Sequence, residues 1–285
     1  VAGVLIALLG SSAAAAPAGG PTPSTESCGY GAPPSGTPPT APPPASTRGA
    51  GCVAEPTGTG DGTGSRPGDQ AHPAEATTGY HHLGAITDSG WAGVVGDVTV
   101  RHTGVRANSE DFVATRFMAR GDVGDQTRWL EVGWSESGWQ SGGPRLYTYD
   151  TNRNQWAYYS QYKVTDGITI WLALDSDGAA DKNNSATWDA WLWWNDKWNL
   201  LAAQQLPIGA STNLEQFVEV YVDPARGGSF AVPPVTVSGV SVAPAGGDYQ
   251  PWEGAVGTDS APADAGYCLA WRTRYDSWTA GSSGC

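Results

Sequence analysis

DFVATRFMARGDVGDQTRWLEVGW, Asp111 to Trp134, holds the alternation that decides the fold. In DFVATRFMA and again in TRWLEVGW, apolar and polar residues change places at every second position, the period of a half-buried strand. Along Thr127 to Trp134, the residues Leu130, Val132 and Trp134 form one apolar face, while Trp129, Glu131 and Gly133 form the other. The same period recurs on both sides, in DVTVRH (Asp97 to His102), RLYTYD (Arg145 to Asp150), QWAYYSQYKV (Gln155 to Val164) and GITIWLALD (Gly167 to Asp175). It continues in ATWDAWLWW (Ala186 to Trp194), WNLLAAQQL (Trp198 to Leu206), QFVEVYVD (Gln216 to Asp223) and VTVSGVSV (Val235 to Val242). Gly, Asn, Asp and Pro separate the runs, and no stretch reads as an amphipathic helix of ten or more residues. About ten short strands in roughly 165 residues predict an all-β, antiparallel jelly-roll sandwich of the concanavalin A-like kind.

Outward from this block the composition changes. Residues 17–78 are Pro, Gly, Ser, Thr and Ala, with PTPSTES, APPPAS and TGTGDGTGS. Such a segment has little apolar surface with which to offset its ordering entropy, and we expect a disordered linker or propeptide. The jelly roll is expected over 79–245. Residues 246–285 turn Gly- and Ser-rich again and are expected to form a tail stapled by a cysteine pair. Residues 1–16, VAGVLIALLG followed by small residues, read as the remnant of a signal peptide, too short to span a bilayer. With neither a basic n-region nor a starting Met, the chain is expected to be cut off at its front. The expectation is therefore a secreted, extracellular and monomeric protein, with no membrane contact after export.

The four cysteines agree with export. Cys28, Cys52, Cys268 and Cys285 form two local pairs, one at each end. Three connectivities are possible, and pairing within each end closes the shortest loops. Zinc is the competing use, but no CxxC or HxxxH spacing supports it. The formal charge of −13 argues against nucleic-acid partners and against anionic membranes. Fourteen Trp and eleven Tyr against four Phe and one Met suit a wet, ring-lined surface.

Two strands place a carboxylate where neither core nor open solvent is expected. In QFVEVYVD the core face is Val218, Val220 and Val222, and the opposite face carries Phe217, Glu219, Tyr221 and Asp223. Glu131 and Glu219 thus each sit mid-strand beside rings or Gly. Poor hydration there favours the protonated form, which is how a Glu becomes a general acid or base. Trp129, Phe217 and Tyr221 are the expected walls of a substrate groove. The bland alternative is a solvated sheet face on which any Glu can lie.

The run from Asp111 to Glu136, followed by GGPRLYTYD (Gly142 to Asp150), resembles neprosins. That family has a strand ending E-[VA]-G-W, here Glu131 to Trp134, then R-L-F-x-Y, here beginning at Arg145. VEVYVD, Val218 to Asp223, is also similar to the A-E-W-I-V-E strand of the glutamic peptidases called eqolisins. Eqolisins pair their Glu with a Gln in a Q-[TA]-G context, which Gln140-Ser141-Gly142 approaches. The resemblances cover roughly Tyr80 to Val242. The paired Gly of the second neprosin strand and the cysteine-containing segment after R-L-F-x-Y are missing. The resemblance implies a glutamic endopeptidase acting on polypeptide without cofactor or metal. Glu219 would take a proton from water, and either Glu131 or Gln140 would hold the oxyanion and help protonate the amine. Such a pair must hold one negative charge, so acid pH is expected to suit it.

Two rival uses of the same shell remain. A jelly-roll glycoside hydrolase would also use two Glu, about 5–5.5 Å apart if retaining and about 6.5–9.5 Å if inverting. A non-catalytic, lectin-like module would present Trp188, Trp191, Trp193, Trp194 and Trp198 to a carbohydrate. Asp175, Asp177 and Asp181 gather oxygen ligands of the kind calcium prefers, but Asp-Gly is also common hairpin punctuation. The histidines, His72, His81, His82 and His102, have no zinc spacing, and in an extended chain His81 and His82 point to opposite faces.

Overall fold

The computed structural model describes residues 52–61, 78–140, 142–260 and 266–285. Every regular element among them is a strand. In chain order these are β1 (Cys52–Val53), β2 (Gly58–Asp61), β3 (Gly79–Thr87), β4 (Trp91–Thr99), β5 (Phe112–Val123) and β6 (Gln126–Ser137). They continue with β7 (Arg145–Asp150), β8 (Gln155–Tyr158), β9 (Thr169–Ser176), β10 (Ala186–Trp194), β11 (Lys197–Leu206) and β12 (Asn213–Val222). The last are β13 (Val235–Pro244), β14 (Gln250–Pro251), β15 (Thr258–Ser260), β16 (Cys268–Thr273) and β17 (Ser277–Gly281).

Two sheets form the sandwich. One runs β1-β11-β10-β9-β4-β13-β17-β16, with β14 also on β13, and the other runs β15-β3-β12-β5-β6-β7-β8-β2. The all-β sandwich is as expected. The predicted core faces hold too: Leu130, Val132, Trp134, Val218, Val220 and Val222 are all fully buried, facing Leu172, Leu174, Trp188 and Leu192 of the other sheet. Burying a residue of this size contributes about 1.5–3 kcal/mol, so the alternation itself supplies the drive for the two sheets to stack.

Three expectations need correction. First, the stretch read as disordered, 17–78, contains ordered residues: β1 lies parallel to β11 and β2 antiparallel to β8. Adding a strand to a sheet edge uses backbone hydrogen bonds, which any sequence has, so composition gave no sign of it. Second, 246–285 is no appendage. β17 pairs with β13, Trp252, Tyr267 and Trp278 lie in the main core, and Trp278 Nε1 donates to Gln216 Oε1 at 2.6 Å. The expected bond within the tail is present, Cys268 to Cys285. Third, the strand in QWAYYSQYKV stops at Tyr158, after which Tyr159 and Tyr162 turn inward, and Tyr159 donates its hydroxyl to the Leu201 carbonyl at 2.7 Å. The leader reading of 1–16, Cys28, the side chain of Cys52 and the rest of 17–78 lie outside the described residues.

Candidate active site

The outer face of the second sheet carries both glutamates. β12 lies between β3 and β5, and β5 lies between β12 and β6. Glu219 on β12 is paired with Ala114 on β5 and His82 on β3, and Glu131 on β6 is paired with Met118 on β5 and Tyr149 on β7. Arg116 on β5 is the outward-facing residue between Ala114 and Met118, so its guanidinium lies between the two carboxylates. Its Nε donates to Glu219 Oε2 at 2.9 Å and sits 3.4 Å from Glu131 Oε2. The two Oε2 atoms are therefore separated by no more than the sum of 2.9 and 3.4 Å. Arg116, Glu131 and Glu219 are all buried.

Glu215 completes the cluster. It lies on the same face of β12, one turn of the alternation beyond Phe217, and its carboxylate accepts from Arg116 Nη1 at 2.8 Å and from Arg120 Nη1 at 3.1 Å. Three carboxylates and two guanidinium groups thus share one buried patch. Burial alone would lower the Arg116 pKa, but the neighbouring charges of Glu219, Glu215 and Glu131 outweigh it and hold that pKa well above the ordinary arginine range. With every group ionised the cluster carries one net negative charge. The guanidinium groups thus offset all but one of the carboxylate charges.

The two ion pairs on Nε are not equivalent. That nitrogen has one hydrogen, and it points to Glu219. Glu131 is drawn to the same charge without receiving that N–H.

Rings wall the patch. Tyr80, Phe112, Tyr147, Tyr149, Trp156 and Tyr158 form one buried cluster on this face, with Trp129 and Tyr221 at its margin. Trp129 stacks on Tyr149 with centroids 5.8 Å apart, Tyr221 lies 4.3 Å from Tyr80, and the Phe217 ring lies 5.6 Å from the Arg116 guanidinium carbon. The three residues chosen as groove walls thus share the face that bears Glu131 and Glu219. Two glycines let the strands approach there. A Cβ on Gly133 would run into the Thr115 carbonyl oxygen, and one on Gly84 into the Gln216 carbonyl oxygen. Gly133 stands opposite Arg116 and Gly84 opposite Phe217. The glycine of EVGW is thus required by the backbone that brings β5 and β6 together beside the cluster.

Gln140 lies elsewhere. β6 ends at Ser137, and Gln140 sits in the following loop, where it accepts from Arg145 Nη1 at 3.1 Å. From Glu131 to Ser137 is six residues, ~20 Å of strand, so the loop begins far from the guanidinium. The five tryptophans considered as a carbohydrate platform are buried: Trp188 and Trp194 belong to the main core, and Trp191, Trp193 and Trp198 to a second apolar cluster on the other sheet. Asp175 Oδ1 accepts from Trp191 Nε1 at 2.7 Å, and Asp181 Oδ1 caps its own turn by accepting from the Asn183 and Ser185 amides. Among the described residues no group of three His, Cys, Asp or Glu side chains is arranged to hold a metal ion.

Sequence reasoning missed Arg116, Glu215 and Arg120. The signal was present in part: Arg116 breaks the apolar face of DFVATRFMA as Glu131 breaks its own, and Glu215 is four residues before Glu219, on the same side of the strand.

No protein-family profile matches the chain, and no curated protein matches it. Among solved structures, scytalido-glutamic peptidase with a transition state analog inhibitor aligns at TM-score 0.47 and 13% identity, over 72% of this chain and 98% of that one. A second structure of that peptidase, with a peptide-based analog, aligns at 0.44 and 14%, over 71% and 97%. SCP-B, a member of the eqolisin family of peptidases in a complex with the tripeptide Ala-Ile-His, aligns at 0.42 and 14%, over 71% and 97%. Likenesses this loose assign neither an activity nor a residue's role to this chain.

Proposed function

We propose that the protein is a secreted glutamic endopeptidase acting at acid pH, with Glu219 as the base and a protonated Glu131 as the hydrogen-bond donor to the oxyanion. The observation that carries the reading is the placement of both Oε2 atoms against one nitrogen, Arg116 Nε. Glu219 receives that N–H and is the member fixed as a carboxylate. Glu131, the more deeply buried of the two, is the member that takes up a proton in acid. This proton uptake is the reason to expect acid pH.

The reaction follows from those two states. Glu219 removes a proton from water as the oxygen attacks the scissile carbonyl carbon, and the carbonyl becomes an oxyanion. The Glu131 hydroxyl donates a hydrogen bond to that oxyanion, in a site where buried charge makes such a bond count for more than it does in water. The carbon–nitrogen bond breaks as Glu219 returns its proton to the leaving amine. Glu with Glu is the neprosin-like arrangement, supported by EVGW and RLYTY. The eqolisin-like partner, Gln140, lies in the loop beyond β6.

The test is digestion of a denatured protein at acid pH by the intact chain and by Glu219→Gln, Glu131→Gln and Gln140→Ala. Loss of at least about a hundredfold is expected for each Glu variant, the scale of general acid–base catalysis, with little change for Gln140→Ala. Equal cleavage by Glu219→Gln, or loss confined to Gln140→Ala, would sink the assignment. Turnover of xylan or β-glucan instead would transfer the pair to sugar chemistry.

A further inference from the structure

We infer that His82 is the solvent-side cation of this site, holding Glu219 as a carboxylate at the acid pH where the reaction runs. The inference rests on the reading of Glu219 as the base. His82 stands directly opposite Glu219 across β3 and β12, with Nε2 3.8 Å from the oxygen that Arg116 binds. The Glu219 side chain is 5% exposed and that of His82 31%, so His82 meets bulk water while the carboxylate does not. Its ring is held in place, stacked on Tyr80 with centroids 6.1 Å apart and edge-on to Phe217 at 5.7 Å. The neighbouring His81 points to the other side of the strand, where its ring lies 4.8 Å from that of Tyr267.

A base buried in an acid-acting site faces a conflict: the acidity that protonates Glu131 also tends to protonate Glu219. Arg116 counters this with a constant charge. His82 adds a second charge in the same acid range, since an ordinary imidazole takes up its proton at about pH 6.5. Around His82 stand Glu219 on β12, Arg116 on β5 through the same oxygen, and the Tyr80 phenol on its own strand. Asp259 on β15 is farther along β3, opposite Ile86. A cation 3.8 Å from a carboxylate moves its titration by roughly one pH unit even with the screening of bulk water, and by more where the carboxylate is buried, so one unit is the least expected here.

The test does not depend on turnover. The carboxyl carbon of Glu219 is followed by NMR against pH, its signal assigned by its loss in Glu219→Gln. In His82→Gln the midpoint is expected to rise by about one pH unit or more, and in His82→Lys, which keeps the charge, to stay within a few tenths. An unchanged Trp278 indole signal in both variants certifies the fold. A wild-type midpoint in His82→Gln, or an equal rise in His82→Lys, overturns the inference. So does a Glu219 signal that never moves in the wild type, since Arg116 alone would then suffice. Absent cleavage would reject the peptidase reading and leave this titration to be judged separately.

Discussion

Arg116→Met keeps most of the side-chain volume and removes the charge on which Glu131, Glu215 and Glu219 converge. Arg116 is 4% exposed, so the three carboxylates of the variant would face one another inside the sheet's ring cluster, with Arg120 bound to Glu215 and His82 3.8 Å from Glu219. Removing one partner of a buried ion pair costs about 3–5 kcal/mol because the other charge is left behind. Against a total stability of about 5–15 kcal/mol this is a large share, and with a urea slope of about 2–3 kcal/mol per molar the midpoint falls by roughly 1–2 M. The loss must also depend on pH. The folded-state pKa of Arg116 is raised, so the guanidinium itself stays charged throughout pH 4 to 7. The carboxylates of the variant are different: burial and mutual repulsion favour proton uptake, which removes the offending charges as pH falls. The urea midpoints of the two proteins should therefore differ more at pH 7 than at pH 4. Arg116→Lys should recover only about half, since one ammonium cannot replace Nε on Glu219 and Nη1 on Glu215 together. A variant as stable as the wild type at pH 7, or one with the same deficit at both pH values, would refute the assignment of a buried, mutually dependent cluster.

Gly133→Ala forces a Cβ against the Thr115 carbonyl oxygen, so β5 and β6 must part where Arg116 meets Glu131; a loss of about 2–3 kcal/mol in urea unfolding is expected, with a fall in cleavage beyond what the stability change explains. On the other sheet, burial raises the Asp97 carboxyl from 3.8 to about 6, against a smaller opposing effect of the Ser238 hydroxyl. The folded state then binds that proton more tightly than the unfolded chain, so this group makes stability decline as pH rises from 3.8 through 6. Asp97→Asn should remove that part of the decline in thermal melts recorded across the interval, and an unchanged slope would contradict the placement of Asp97.

What could be read from the chain and what could not divides along a physical line. Facing was legible because it is local: alternation put Leu130, Val132, Trp134 and the three valines of β12 inside, and left Glu131 and Glu219 outside, before any partner strand was known. Adjacency was not. That β5 separates β12 from β6 is a property of the sheet order, and only that order places Arg116 between glutamates 88 positions apart in the numbering from Glu131 to Glu219. Spacing along the chain misled for the same reason: Gln140 is nine positions from Glu131, but the strand ends between them and the loop turns to Arg145. The tail shows the converse failure. Its Gly and Ser content suggested a loose end, while Trp252, Tyr267 and Trp278, a few large rings in a polar background, supply the apolar area that decides where a segment packs. Density of apolar residues marks a core strand that is solvated on one face; a strand closing the edge of a sheet needs only backbone and one or two rings. The site obeys the same division: each glutamate announced itself as a residue on the wrong face, and the cation that makes two such residues compatible became identifiable only once register had set it between them.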